Sequence, residues 1–489
     1  LRIKRAPNQT ADDRRYIDAM RLMSVAGTEY DAEDRDSSLR ALNAYRRAET
    51  IWQELGIKRE QAQALYSVAM LEYWAAYDWS RSAAMAAQAS AIYRELGFEQ
   101  LYANALMLQG TALIEAANEL GPRDAQATLA AALELFGVAK STHERLKNEF
   151  ALAHLSNNVG LTYFYMGDWD RARTLWGDSA QQFQALGDWR EELNARQNQA
   201  VIDGLQGYNK RAIETLQYII DSLPNDSDLQ FRVNVIDNLA ENYRLYGEYE
   251  DALQAYSTAH AIHRRIGDGI GEAYALTGIG NTYYSIGELD LAGRYLEQAL
   301  PLAEESNDGR SQEAILARLG DIKFLQSDYA EALNLHRAAL DLAVAEPDRA
   351  HRQLSVAKDL AALDRNKEAL RLAVEAAELA LESSSLSTHA DAEMQIGKIE
   401  AALGNSLSAR SHFESALETY ESLGLKHGEA DALNSMANAA RRRNELDAAI
   451  RLGRASIDAI ESLRERVAAP ELRAHYSAAS QHYYEDQID

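Results

Sequence analysis

The chain has 489 residues, more than one compact core normally holds, so it is either a set of domains or an extended array. Its 75 acidic residues against 50 Lys and Arg leave a net charge of −25, which repels phosphate backbones and anionic lipid and argues against a nucleic-acid partner. Cysteine is absent, which removes disulfides, thiolate catalysis and thiolate metal sites. No apolar run approaches the roughly 18 residues of a membrane span.

Proline is scarce, at 6, while Ala, Leu, Glu, Arg and Tyr abound, as in all-helical proteins. Apolar residues recur at helical spacing on both sides of short breaks. The pattern predicts eleven helical hairpins, starting near residues 11, 59, 98, 149, 188, 228, 268, 308, 349, 387 and 425. The first three are irregular, and NELGPRD at 118–124 reads as a lengthened turn. From the fourth hairpin the register is strict. Gly160, Ala200, Ala240, Gly280 and Gly320 lie 40 residues apart; Ala357, Gly397 and Ala437 continue the column after one step of 37. Gly110 and Met70 extend it backwards. A second column stands 12 residues later, at Ala172, Ala212, Ala252, Ala292, Ala332, Ala369, Ala409 and Ala449. A third follows 7 further on, from Ser179 and Ile219 through Ala259, Ala299, Ala339, Ala376 and Ala416 to Ser456. The breaks, such as MGDWD, YGEYE and IGELD, are tight turns, and Leu-Gly or Ile-Gly closes many units.

The small residue, the bulky residue three on, the turn, the alanine and the second alanine seven later resemble the tetratricopeptide (TPR) pattern. The likeness covers residues 11–467 and is closest to a 40-residue variety found in bacterial regulators and scaffolds. It implies an all-α, right-handed superhelical solenoid, with no cofactor and no catalysis of its own. The segment LRERVAAPELRAHY…YYE…ID resembles the helix that joins such an array to a CHAT domain, a caspase-like protease domain. The start, LRIKRAPNQTADDRRYIDAMRL, resembles the tail of a preceding domain. The expected division is a tail or linker at 1–10, the array at 11–467, and a C-terminal helix at 468–489 leading towards a CHAT-like neighbour. The His/Cys pair of that family has no counterpart here.

Candidate chemistry is sparse. His260 and His263 have a spacing that metals can use, but no third ligand stands near them in sequence, so they read as packing or surface residues. His336 occupies a column held elsewhere by Trp176, Tyr256 and Leu296, which makes it a core position. GDGIG at 267–271 follows a helix and lacks the Lys-Ser or Lys-Thr of a phosphate loop, so it reads as a cap. NDSDLQ at 225–230 reads as a helix start with Ser227 or Asp228 at the N-cap. ARRRNE at 440–445 is either a solvated face or a docking point for an acidic element.

Stacked hairpins leave a concave face lined by the first helices. Positions three before, one after and four after the small residue are expected to face it. This selects Asn157, Phe164, Gln197, Asp237, Arg244, Asn281, Tyr284 and Phe324 as a protein-binding groove. For Phe164, Tyr284 and Phe324, packing between hairpins is an equal alternative. The expected partner is a protein or peptide, with an adjacent CHAT-like domain as the element controlled. The alternative is a stand-alone TPR regulator that binds a signalling peptide or a transcription factor. A cytoplasmic setting is expected, with an extracytoplasmic one left open.

Overall fold

The computed structural model describes residues 10–30, 35–117, 120, 122–223, 228–383 and 385–466. Among them there are 22 α-helices, one π-helical turn and no strand. The predicted C-terminal helix at 468–489, residues 1–9 and Ser227 lie outside the described residues.

By compactness the chain forms two units, Leu1–Thr215 and Leu216–Asp489. The first holds α1 (Ala11–Tyr30) with α2 (Arg35–Glu54), and α3 (Lys58–Leu71) with α4 (Trp79–Glu95). It continues with α5 (Glu99–Ala117) and α6 (Pro122–Leu146), α7 (Glu149–Tyr165) and α8 (Trp169–Leu186), then α9 (Trp189–Leu205). The boundary falls within α10 (Asn209–Ser222). The second unit pairs α11 (Leu229–Tyr246) with α12 (Tyr249–Ile266), α13 (Gly269–Ile286) with α14 (Leu289–Glu305), and α15 (Gly309–Leu325) with α16 (Tyr329–Leu342). It ends with α17 (Glu346–Ala362) and α18 (Asn366–Glu382), α19 (Leu386–Ala402) and α20 (Ser406–Leu423), and α21 (Lys426–Arg442) and α22 (Leu446–Arg466).

Local chemistry sets the boundaries. Gly187 closes α8 at φ 75°, a left-handed conformation that glycine adopts without a Cβ clash. The next residue, Asp188, then caps α9 by accepting the Glu191 amide. The same side-chain cap, from Asp or Asn, opens α4, α7, α8, α11, α13, α15 and α16. The GDGIG stretch is therefore a helix stop followed by a helix start, with Asp268 accepting the Gly271 amide at 3.0 Å.

The glycines of the first column are small because a large side chain sits on each. A Cβ built on Gly160 would lie 2.8 Å from the indole of Trp176, which stands four residues after Ala172. Gly110 meets Phe136 in this way, Gly280 meets Leu296, Gly320 meets His336 and Gly397 meets Phe413. Trp176 is pinned in place, its Nε1–H donating to the Asn157 carbonyl at 3.0 Å. The interdigitation is what makes each hairpin a packed unit.

Three sequence expectations need correction. Ala69, not Met70, occupies the small column: it is fully buried, and Ala62, Ala64, Leu65, Val68 and Leu71 around it repeat the burial pattern of the later units. The cause is the π-helical turn Glu72–Ala76, which inserts one residue before the Asp78 cap and so lengthens the step back from Gly110 from 40 to 41 residues. Of the turn expected at 118–124, residues 122–124 instead open α6, whose 25 residues take up extra length of the third unit, while residues 118, 119 and 121 lie outside the described residues. Pro347 stands inside the first turn of α17, where its missing N–H costs nothing, so that helix starts earlier than residue 349.

Candidate protein-binding surface

Within each unit, successive first helices approach one another: α3 and α5, α5 and α7, then α11 and α13, α13 and α15, α17 and α19, α19 and α21. Among the described residues, successive second helices make no comparable approach. Each stack is therefore tighter on the side of its first helices, which makes that side the inner face.

A ladder of polar and cation–π contacts runs along this inner face. In the first unit the Tyr73 hydroxyl donates to Glu115 Oε1 at 3.3 Å, Asn158 Nδ2 to Thr111 Oγ1 at 3.1 Å, and Asn198 Nδ2 to Asn157 Oδ1 at 3.4 Å. In the second unit Arg318 Nε donates to Asn281 Oδ1 at 3.1 Å, and its guanidinium lies 4.5 Å from the Tyr284 ring centre. Arg352 pairs with Glu313, and Lys358 Nζ sits 4.1 Å from the centre of the Phe324 ring. These contacts cross between residues about one repeat apart, so they tie neighbouring hairpins together.

The eight residues selected from the sequence divide into two groups. Asn157, Phe164, Arg244, Asn281, Tyr284 and Phe324 are half-buried, and Asn157, Asn281, Tyr284 and Phe324 are rungs of the ladder. Phe164 packs at 5.8 Å from Trp176, and Arg244 forks onto Glu241, which also accepts the Tyr256 hydroxyl at 2.7 Å. Gln197 and Asp237 are buried, each 9% exposed.

Asp237 belongs to a different construction. His263 is buried with Nε2 2.9 Å from Asp237 and Nδ1 3.0 Å from Asp268. Burial alone would lower the His263 pKa, but the two carboxylates outweigh it and raise it. His336 is held in a similar way, with Nδ1 2.6 Å from Asp359 and Nε2 3.2 Å from the Ala317 carbonyl and 3.5 Å from Asp321. Here too burial opposes the charge, and the two carboxylates lift the pKa to about 9. His260 lies 3.1 Å from Glu272. Among the described residues no group of three or more His, Asp and Glu side chains is arranged to hold a metal ion.

Sequence reasoning missed two features. The position two before the small residue, held by Asn158, Asn198 and Arg318, supplies rungs of the ladder; its run of long polar side chains was the available signal. Glu72 and Asp203 are buried at 1%, and each is met by two arginines: Arg46 and Arg81 at Glu72, Arg173 and Arg211 at Asp203. Both stand three residues after the small column, where Tyr163, Tyr243 and Tyr283 stand in other units. A carboxylate in that column was the signal.

Repeated helical hairpins, glycine–aromatic interlocking and an inner face of linked first helices define an all-α tetratricopeptide-repeat solenoid, a class of binding scaffold. The tetratricopeptide repeat family pattern matches residues 232–305 and 388–462. No curated protein matches the sequence. Among solved structures, the chain is similar to a Signal Transduction ATPase with Numerous Domains (STAND) protein with a tetratricopeptide repeat sensor from Pyrococcus horikoshii. That likeness has 13% identity, covers 91% of this chain and 74% of the other, and has a TM-score of 0.50. A Rap protein complexed with competence and sporulation factor is similar at 14% identity over 75% of this chain and 99% of the other, with a TM-score of 0.50. At these identities the likeness is one of fold. Among the described residues, no helix is long and apolar enough to cross a membrane.

Proposed function

We propose that the chain is a non-catalytic recognition scaffold that holds a peptide or protein partner against the inner face of its first helices. The observation that carries this reading is a row of exposed apolar side chains five residues after the small column. Trp74, Tyr165 and Leu205 present it in the first unit, Leu245 and Leu325 in the second. Exposed apolar residues repeating on a polar-laddered face are what a binding surface needs. In the finer reading, taken from the resemblance at the C-terminal segment, partner binding regulates an attached caspase-like CHAT domain. A ligand would do so by favouring one curvature of the stack over another. A second reading, a stand-alone regulator that binds a signalling peptide or a transcription factor, draws on the fold shared with the Rap protein complexed with competence and sporulation factor.

The test is affinity capture from the native source with the unmodified chain and with Tyr165, Leu205, Leu245 and Leu325 each changed to Glu. All four side chains are exposed, so the fold should persist. The captured partners should weaken by at least about tenfold. Glu at the exposed Val374 and Ile450, on second helices, should leave them unchanged. Undiminished capture by the first-helix variants would end the inner-face reading.

A further inference from the structure

On the inner face of the second unit, aromatic rings four residues after the small column are covered by a cation from the next hairpin. Arg318 covers Tyr284, and Lys358 covers Phe324. Tyr73 holds the same register position, counted from Ala69, between α3 and α5. There the next hairpin supplies a carboxylate, Glu115, instead of a cation. Beside Tyr73 stands Trp74, edge to face with ring centres 4.7 Å apart, and 65% exposed. Glu115 is half-buried, and among the described residues no cation pairs with it or covers Trp74. Burial raises the Glu115 pKa, and the single Tyr73 hydroxyl only partly offsets this. The carboxylate therefore gains from any cation brought beside it.

We propose that Trp74, Tyr73 and Glu115 form a subsite for an arginine side chain of the bound partner. The guanidinium would stack on the exposed indole and donate to the Glu115 carboxylate, bringing beside Tyr73 a cation of the kind that Arg318 and Lys358 supply within the second unit. Arginine suits the site better than lysine because its planar fork can stack and donate at once. The net charge of −25 favours the approach of a basic segment. The proposal rests on the inner-face reading and adds the chemistry of one partner residue to it.

The test uses the full chain labelled with 5-fluorotryptophan and observed by fluorine NMR. The chain has 6 tryptophans, and the Trp74 signal is assigned by its loss in Trp74→Phe. The probes are N-acetyl-arginine methylamide and its neutral isostere N-acetyl-citrulline methylamide. The arginine probe should shift the Trp74 signal saturably, and the citrulline probe should bind about tenfold more weakly or worse. Glu115→Gln should weaken the arginine probe to a similar degree. An unmoved Trp74 signal, an equal response to citrulline, or an equal response in a folded Glu115→Gln chain would each overturn the subsite. The citrulline comparison needs no substitution, so it decides the matter even if that variant fails to fold. Loss of the subsite with capture still sensitive to the first-helix Glu variants would leave the inner-face reading standing.

Discussion

At the scale of single residues, two positions show how the sequence constrains the fold. Gly160 has no room for a methyl group, because the rigid, hydrogen-bonded Trp176 ring lies 2.8 Å from where it would be. Gly160→Ala should cost about 1–2 kcal/mol, since overpacking of about 1–3 kcal/mol exceeds the gain of up to about 1 kcal/mol from replacing a helical glycine. Gly293, within α14, has open space around its Cβ direction, so Gly293→Ala should stabilise by about 0.5–1 kcal/mol. Urea unfolding of the two variants checks the contrast in sign. His336 offers a pH test. Its pKa is raised in the folded state, so its stabilisation is complete below the unfolded value near 6.5 and is lost as pH rises through about 9. His336→Gln should lose on the order of 2–3 kcal/mol at the acidic end of that window and much less above it. Thermal melts of both chains between those limits should converge as pH rises; parallel curves would refute the clamp.

Helix termini govern the element scale. Asp308 accepts the Ser311 amide at 3.2 Å and its hydroxyl at 2.5 Å, so it holds the first turn of α15. Asp308→Ala should cost about 1 kcal/mol, read as faster amide hydrogen exchange confined to that turn. The hairpin boundaries were legible for the same reason: Gly-Asp pairs spell a left-handed stop and a side-chain cap in adjacent residues. The π-helical turn at Glu72–Ala76 was not legible. It inserts a residue inside a continuous helix and changes no turn residue, so a 40-residue step back from Gly110 lands on Met70, one position past the buried Ala69. The buried Glu72 at its start, met by Arg46 and Arg81, is the tertiary feature beside it.

For the whole molecule, the tetratricopeptide architecture was readable because it is a periodic demand. Each hairpin must place a small residue under a large one, and the demand returns every 40 residues from Gly160 to Gly320. The proposed binding surface was only partly readable. Asn157, Asn281, Tyr284 and Phe324 lie on the inner face, but each is already engaged by a neighbouring hairpin. In each unit the exposed apolar side chains, Trp74, Tyr165 and Leu205 in the first and Leu245 and Leu325 in the second, stand five residues after the small column, one position beyond the ring rungs. A helix turns about 100° per residue, so one position separates a ring rung from an exposed side chain.

Composition and spacing by themselves determined the helical class, the number of hairpins and the small-residue columns, because each depends on local propensity and on a volume that recurs along the chain. Only the tertiary structure decided which polar groups neutralise one another. Asp237 with His263, Glu72 with its arginines and Glu115 without a cation look alike in sequence, as acidic residues in first helices. What separates them is the charge that the neighbouring helix brings within a few ångströms, and that is a property of the packing.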